Sequence, residues 1–287
     1  MSIRSVLVPI LPQDEPGPML GAALQIARRF DGHLDALFIA SDSNEFPSGL
    51  PALTRRDRIG IDDRAAAARR LAAVASEARF EDWRAAAVPI GEAGHAAGVL
   101  KTATRWIEEA GAIERVLPAH GRLADLIVLH YPTRHVEESD RMFTVATFAT
   151  GRPVLLVRHE VPKDILRHIL VAWNGGLEST RALAGAMPLL AAAGSVTIFT
   201  APPPDGTPVL GPSLCEALAR HGIHSQQIWA HRSDAAVGDA LLRAAGERGA
   251  SMIVMGAQNH SRHLPSQFGG ITRHVLHDGG LPVLMAH

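Results

Sequence analysis

The chain has 287 residues, 47% of them hydrophobic and 20% charged, with a formal net charge of −1. That composition describes a soluble globular protein and gives no electrostatic pull toward nucleic acid or an anionic membrane. A single cysteine, Cys215, excludes an internal disulfide and a cysteine-based metal cluster. No run of about 18 apolar residues occurs, so no membrane span is expected. The chain enters a strand almost at once, which leaves no room for a signal peptide. A cytoplasmic protein is expected.

In chain order, the first element is a short apolar strand, Ser5 to Ile10. Its near-continuous apolar run suits a buried parallel strand. A helix from Pro18 to Phe30 follows, with Leu20, Leu24 and Ala27 on one face and Asp31 and Gly32 as its stop. A second strand spans Leu34 to Ile39. An enlarged segment then runs from Ser41 to Ala103. It contains a long Ala/Arg-rich helix, Asp62 to Ala87, and a loop at Pro89 to Gly94. A third strand is read at Thr104 to Glu108, a fourth at Asp125 to Leu129 and a fifth within Gly151 to Val157.

The same order then repeats. Val6 to Pro9 recurs as Ile169 to Ala172, Asp125 to Leu129 as Ser251 to Met255, and Gly151 to Val157 as Gly280 to Ala286. The first strand of the second copy is His168 to Trp173. A helix from Leu177 to Ala193 places Leu183, Met187 and Leu190 together, stops at Gly194, and should kink at Pro188. Then come a strand at Val196 to Thr200, a Pro-rich loop at Ala201 to Pro208 and a helix near Ser213 to His221. The third strand is Gln226 to Ala230. The helix Asp234 to Arg248 has Ser233 as N-cap and Gly249 as terminator. Two α/β domains follow, residues 1–158 and 166–287, with a polar linker between them that contains Pro162. Alternating strands and helices imply a parallel sheet with helices on both faces. In such sheets ligands bind beyond the carboxyl ends of the strands where the strand order reverses, at the first and fourth strands of each copy.

The copies differ at that place. The fourth strand of the second copy runs into Gly256, Ala257, Gln258, Asn259, His260, Ser261 and Arg262, and later Phe268, Gly269, Gly270, Ile271, Thr272 and Arg273 open the last helix. Glycines let backbone amides approach a ligand, and a helix N-terminus favours an anion such as phosphate. Arg262, Thr272 and Arg273 could add donors. Across the cleft the first strand ends in Trp173, Asn174, Gly175 and Gly176, where Asn174 could bond a ribose or a base edge. The first copy begins its loop at His130 and has no glycine until Gly151. Its Val136 to Asp140 places acid where phosphate would bind.

On these residues the sequence resembles the universal stress protein family, and in particular its tandem members, over about residues 3–158 and 166–287. The family pattern after the fourth strand is glycine, two residues, glycine, nine residues, glycine, then serine or threonine. Those positions fall on Gly256, Asn259, Gly269 and Gly270. The resemblance implies two five-stranded parallel sheets of order 3-2-1-4-5, with paired domains that associate through their last strands. It also implies an adenine nucleotide, ATP with or without Mg²⁺, in the second domain. Asn174 stands at the position of the nucleotide-contacting aspartate, and Ala201 beside the base. Ala172, Gly175, Met255, Gly256, Asn259, His260, Ser261, Arg262, Gly269, Gly270, Ile271 and Thr272 complete the implied pocket. Asn259 replaces a glycine, Gly270 a hydroxyl and Asn174 a carboxylate. No nucleotide is expected in the first domain. The expected partners are the nucleotide and a homodimer or an intrachain pseudo-dimer.

Other readings stand beside this one. A nucleotide-free interaction scaffold keeps the fold alone. An ATP-hydrolysing or phosphoryl-transferring enzyme would need metal ligands and a base or nucleophile, and no Walker lysine motif is present, so no catalytic residue is assigned. Among fifteen histidines, His274 with His277 and His260 with His263 are close in sequence. Neither pair has a known ligand pattern, so solvated or ligand-facing histidines are the expectation. Cys215 reads as a packing residue, and the Arg-rich helix as a solvated face. The enlarged segment could cover a neighbouring subunit or bind a second small molecule.

Overall fold

A computed structural model of the chain describes residues 2–40, 55–87, 103–132, 136–201, 211–230, 237–257 and 270–287. The first half contains β1 (Ser5–Ile10), α1 (Gly17–Arg29), β2 (His33–Ala40), α2 (Arg55–Ala87), β3 (Thr104–Ala110), α3 (Ile113–Gly121), β4 (Leu126–His130), α4 (Glu137–Ala149) and β5 (Val154–Val157). The second contains β6 (His168–Trp173), α5 (Leu177–Ala192), β7 (Ser195–Thr200), α6 (Gly211–Ala219), β8 (Ser225–Trp229), α7 (Val237–Glu247), β9 (Met252–Gly256), α8 (Gly270–Asp278) and β10 (Val283–Ala286).

The strands form one ten-stranded sheet, β3-β2-β1-β4-β5-β10-β9-β6-β7-β8. Each half is parallel, in the order 3-2-1-4-5 counted along its own chain. The halves meet through their last strands, which run antiparallel with Val283 opposite Leu156 and Met285 opposite Val154. The chain therefore makes its own pseudo-dimer. Two cores lie on opposite faces, and each spans both halves. One gathers Leu20 and Ile26 of α1, Phe80 of α2, Ala186 of α5 and Leu218 of α6. The other gathers Leu117 of α3, Phe143 of α4, Leu241 of α7 and Val275 of α8. Strands covered on both faces must be apolar at every position, and β4, β5, β9 and β10 each have a buried run of four residues.

Polar side chains pin the seam between the halves. Tyr131 Oη donates to the carbonyl of Leu281 at 2.6 Å. Arg158 lies over the Tyr131 ring, 4.4 Å from its centroid. Its guanidinium donates to the carbonyls of Leu276, His277 and Gly279 at 2.9, 3.1 and 2.7 Å. Those of Leu276 and His277 are end carbonyls of α8, Gly279 follows the helix directly, and a cation there also meets the negative end of the helix dipole.

Several elements depart from the sequence reading. Helix α2 starts at Arg55, not Asp62. Helices α3 and α4 did not emerge from periodicity: α3 is nine residues long and carries Pro118 inside it. The third strand of the second half is Ser225–Trp229, one residue earlier than expected. The Pro89 to Gly94 loop, Ser233 and Asp234 lie outside the described residues. Among the described residues no helix is long and apolar enough to cross a membrane.

Candidate functional site

Strand β6 pairs with both β7 and β9, so the strand order reverses beside it. The β6–β9 register runs from Ile169 opposite Met252 to Val171 opposite Val254. Both strands continue past it, to Trp173 and to Gly256. Their carboxyl ends frame the crevice that this topology offers a ligand.

Only three residues, 174–176, join β6 to α5. Asn174 makes that tight connection: its Oδ1 accepts from the amide of Gly176 at 3.0 Å, and Gly175 takes a φ of +76° that glycine tolerates. Gly176 then caps α5, its carbonyl accepting from Thr180 N at 3.0 Å and from Ser179 Oγ at 2.9 Å. Because the connection is short, the first turn of α5 lies on the end of β9. A β-carbon at Gly256 would stand 2.6 Å from the backbone of Glu178 and of Ser179. Glycine is thus required at the strand end by helix packing, with or without a ligand.

The remaining proposed pocket residues divide into four groups. Ala172 and Ala201 are half-buried at the ends of β6 and β7. Met255 is buried in the second core. Gly270 and Ile271 open α8: Gly270 has open space where a β-carbon would sit, Ile271 is exposed, and Thr272 is buried with 2% exposure. Asn259, His260, Ser261, Arg262 and Gly269 lie outside the described residues, as does His263. Asn174 and Gly175 are exposed at the end of β6, and β9, the strand beside it, leads in sequence to α8. The indole Nε1 of Trp173, which sequence did not single out, is buried at the end of β6 without a hydrogen-bond partner, its side chain packed against the first core. A buried donor left unpaired calls for a partner.

Charge separates this crevice from its counterpart. The first turn of α8 holds no acid, whereas that of α4 holds Glu137, Glu138 and Asp140. Acids at a helix start neutralise the dipole and repel an anion; their absence leaves the amides and the dipole free for one. In the first half Leu11, buried to 1% exposure, stands where Asn174 stands in the second. Burial pushes the Asp14 carboxyl up while its Oδ2 accepts from Leu11 N at 2.8 Å. His130 Nε2 is 2.9 Å from the carbonyl oxygen of Glu15.

The histidine pair on α8 lies beside carboxylates. His274 Nε2 is 2.8 Å from Asp239 and its Nδ1 is 3.0 Å from Asp278; His277 Nδ1 lies 2.5 Å from Asp278. Among the described residues no group of three or more such side chains could hold a metal ion.

No family model matches the sequence, and no curated protein matches it. Solved structures do. A universal stress protein from Archaeoglobus fulgidus DSM 4304 superposes with a TM-score of 0.65 at 15% identity, over 99% of this chain and 96% of the other. A functionally unknown protein from Pseudomonas aeruginosa PAO1 gives 0.53 at 19% identity, over 99% and 92%. A chain provisionally assigned as a universal stress protein from Pseudomonas aeruginosa UCBPP-PA14 gives 0.53 at 19% identity, over 99% and 93%. At such identities the likeness is one of fold, and it extends over the full tandem arrangement.

Proposed function

We propose that the chain is a tandem universal stress protein that binds ATP in its second half and acts as a regulator in the stress response, without catalysis of its own. The observation that carries this reading is the asymmetry of the two crevices within one fold. The second has an exposed Asn174 and an acid-free helix start at Gly270. The first has a buried leucine and a triply acidic helix start in their place. The adenine and ribose would lie by Ala172, Asn174 and Ala201, and the phosphates by the amides that lead into α8. Mg²⁺ would enter with the phosphates, since Asn174 offers no carboxylate. The first half serves as the structural partner that holds α8 through Arg158. Regulation requires that ATP favour one conformation or assembly over another.

The nucleotide-free scaffold has one specific observation in its favour: packing against α5 alone requires Gly256. Mass spectrometry of ligand released from gently purified, denatured protein separates the two readings, with calorimetric titration by ATP alongside. ATP or AMP at one per chain is expected. Gly269→Asp, which puts a carboxylate and a β-carbon where phosphate should lie, is expected to abolish the binding heat with the circular dichroism unchanged. Absence of nucleotide and of binding heat in the parent protein would leave the scaffold in its place.

A further inference from the structure

Helix α2 has two faces. One is anchored to the body of the protein: Ala73, Ser76 and Phe80 are buried, and the Phe80 ring packs 5.4 Å from Trp106 of β3. Arg79 ties the helix to the carbonyl of Pro12 at 3.1 Å. The other face carries Leu71 at 73% and Val74 at 66% exposure, the first two of the large apolar side chains left in water. They belong to a longer row. Arg64, Ala67, Leu71, Val74, Ala78 and Glu81 alternate in steps of three and four, the spacing of a seam between two paired helices. Arg70 and Glu77 flank the row, and both are exposed.

The row is complementary to itself when reversed. If Leu71 of one copy meets Val74 of another, antiparallel geometry sets Ala67 against Ala78 and Arg64 against Glu81. The flanking Arg70 then faces Glu77. The two-fold axis repeats each contact, so Arg64 meets Glu81 twice and Arg70 meets Glu77 twice; within its own helix Glu81 also pairs with Arg84. A closed two-fold interface must have this property, because the same patch serves both partners. The alanine layers let the helices approach closely, and the aliphatic pair at the centre supplies the apolar burial. We infer that α2 is a docking surface for a second copy of this chain, forming an antiparallel α2–α2 pair centred on Leu71 and Val74. The mode is independent of nucleotide, and it differs from the β5–β10 seam, which the chain satisfies internally.

Sedimentation equilibrium of the full-length chain across the micromolar range tests this. A reversible monomer–dimer equilibrium is expected. The double variant Leu71→Glu with Val74→Glu, altered only on the solvent side of α2, is expected to weaken it at least about tenfold with the melting curve unchanged. Arg70→Glu alone, or Glu77→Arg alone, should weaken dimerisation by roughly two- to thirtyfold, because each places like charges together twice. The two changes in one chain should restore it. A parent chain that stays monomeric, a dimer indifferent to the double glutamate variant, or a charge reversal that fails to restore pairing would each overturn the inference. The last two outcomes would direct attention to the sheet edges or to a different protein as the occupant.

Discussion

The two halves share a sheet order and a core plan, yet their crevices are built by different connections. Six residues, 11–16, link β1 to α1, and three, 174–176, link β6 to α5. The long link lets Leu11 turn inward and keeps α1 clear of the neighbouring strand end, so His130 can keep a side chain there. The short link sets the first turn of α5 on β9 and demands Gly256. It also turns Asn174 and Gly175 outward. Loop length therefore decides which half has an open, polar crevice. The core does not, since both halves contribute to both core faces.

Exchanging the two equivalent residues tests that difference most strongly. Leu11→Asn buries an amide where a leucine filled the core, and should cost about 3 kcal/mol in urea unfolding. The reciprocal Asn174→Leu removes an exposed side chain and should change stability by less than about 1 kcal/mol while it weakens ATP binding. Equal costs for the two substitutions would show that the crevices are not distinct in the way proposed.

Next in size is the seam. Arg158→Met keeps the length of the side chain but removes two hydrogen bonds to α8, a third to Gly279 just after it, and the cation over Tyr131. A loss of about 2–3 kcal/mol is expected. Because α8 carries the proposed phosphate site at its other end, calorimetry should also show weaker ATP binding. Lost stability with unchanged affinity would mean that α8 does not transmit the state of the seam.

Gly256→Ala sharpens the comparison further. Its new methyl meets backbone, which cannot rotate away, so about 2 kcal/mol should be lost as α5 shifts. Gly270→Ala meets open space and should fall within about 0.5 kcal/mol of the parent. If both variants lose ATP, the glycines serve the ligand; if Gly256→Ala is destabilised and still binds, its glycine serves the helix alone.

These contrasts mark where sequence reading was strong. The repeat and the apolar strands were legible because a parallel strand covered on both faces has no polar position to blur its run, and the sheet order came with the family resemblance. The pairing of the last strands came with the family resemblance and was found within one chain. The close approach of Glu178 and Ser179 to Gly256 was not legible, because nothing in a glycine's sequence context names the helix above it. Nor was the inward turn of Leu11, which depends on the length of a loop. Helix α3 escaped because its proline and its nine residues mask the period. The partner row on α2 was hidden in an Ala/Arg-rich composition that reads as solvated until the buried face is known. Then the exposed Leu71 and Val74 stand out against it.

The smallest expected effect lies in the first half's own crevice. Burial of Asp14 raises its carboxyl pKa, against the opposing pull of the Leu11 amide, His130 and Arg79. An acid whose folded pKa is raised binds its proton more tightly in the folded state. Its ionisation is then a cost, fully present above the folded pKa and relieved as pH falls through that value toward the unfolded one. Asp14→Asn removes the charge and keeps an oxygen that can accept from Leu11 N. The variant should therefore be the more stable protein near pH 7, by an amount that shrinks as the medium is acidified toward about pH 4, the ordinary carboxylate range. Urea unfolding of both proteins at the two pH values reads this directly. A variant less stable near pH 7 would mean that attraction to His130 and Arg79 outweighs desolvation. The first crevice would then be an ion-paired site in its own right, and its difference from the second would be one of which charge it prefers.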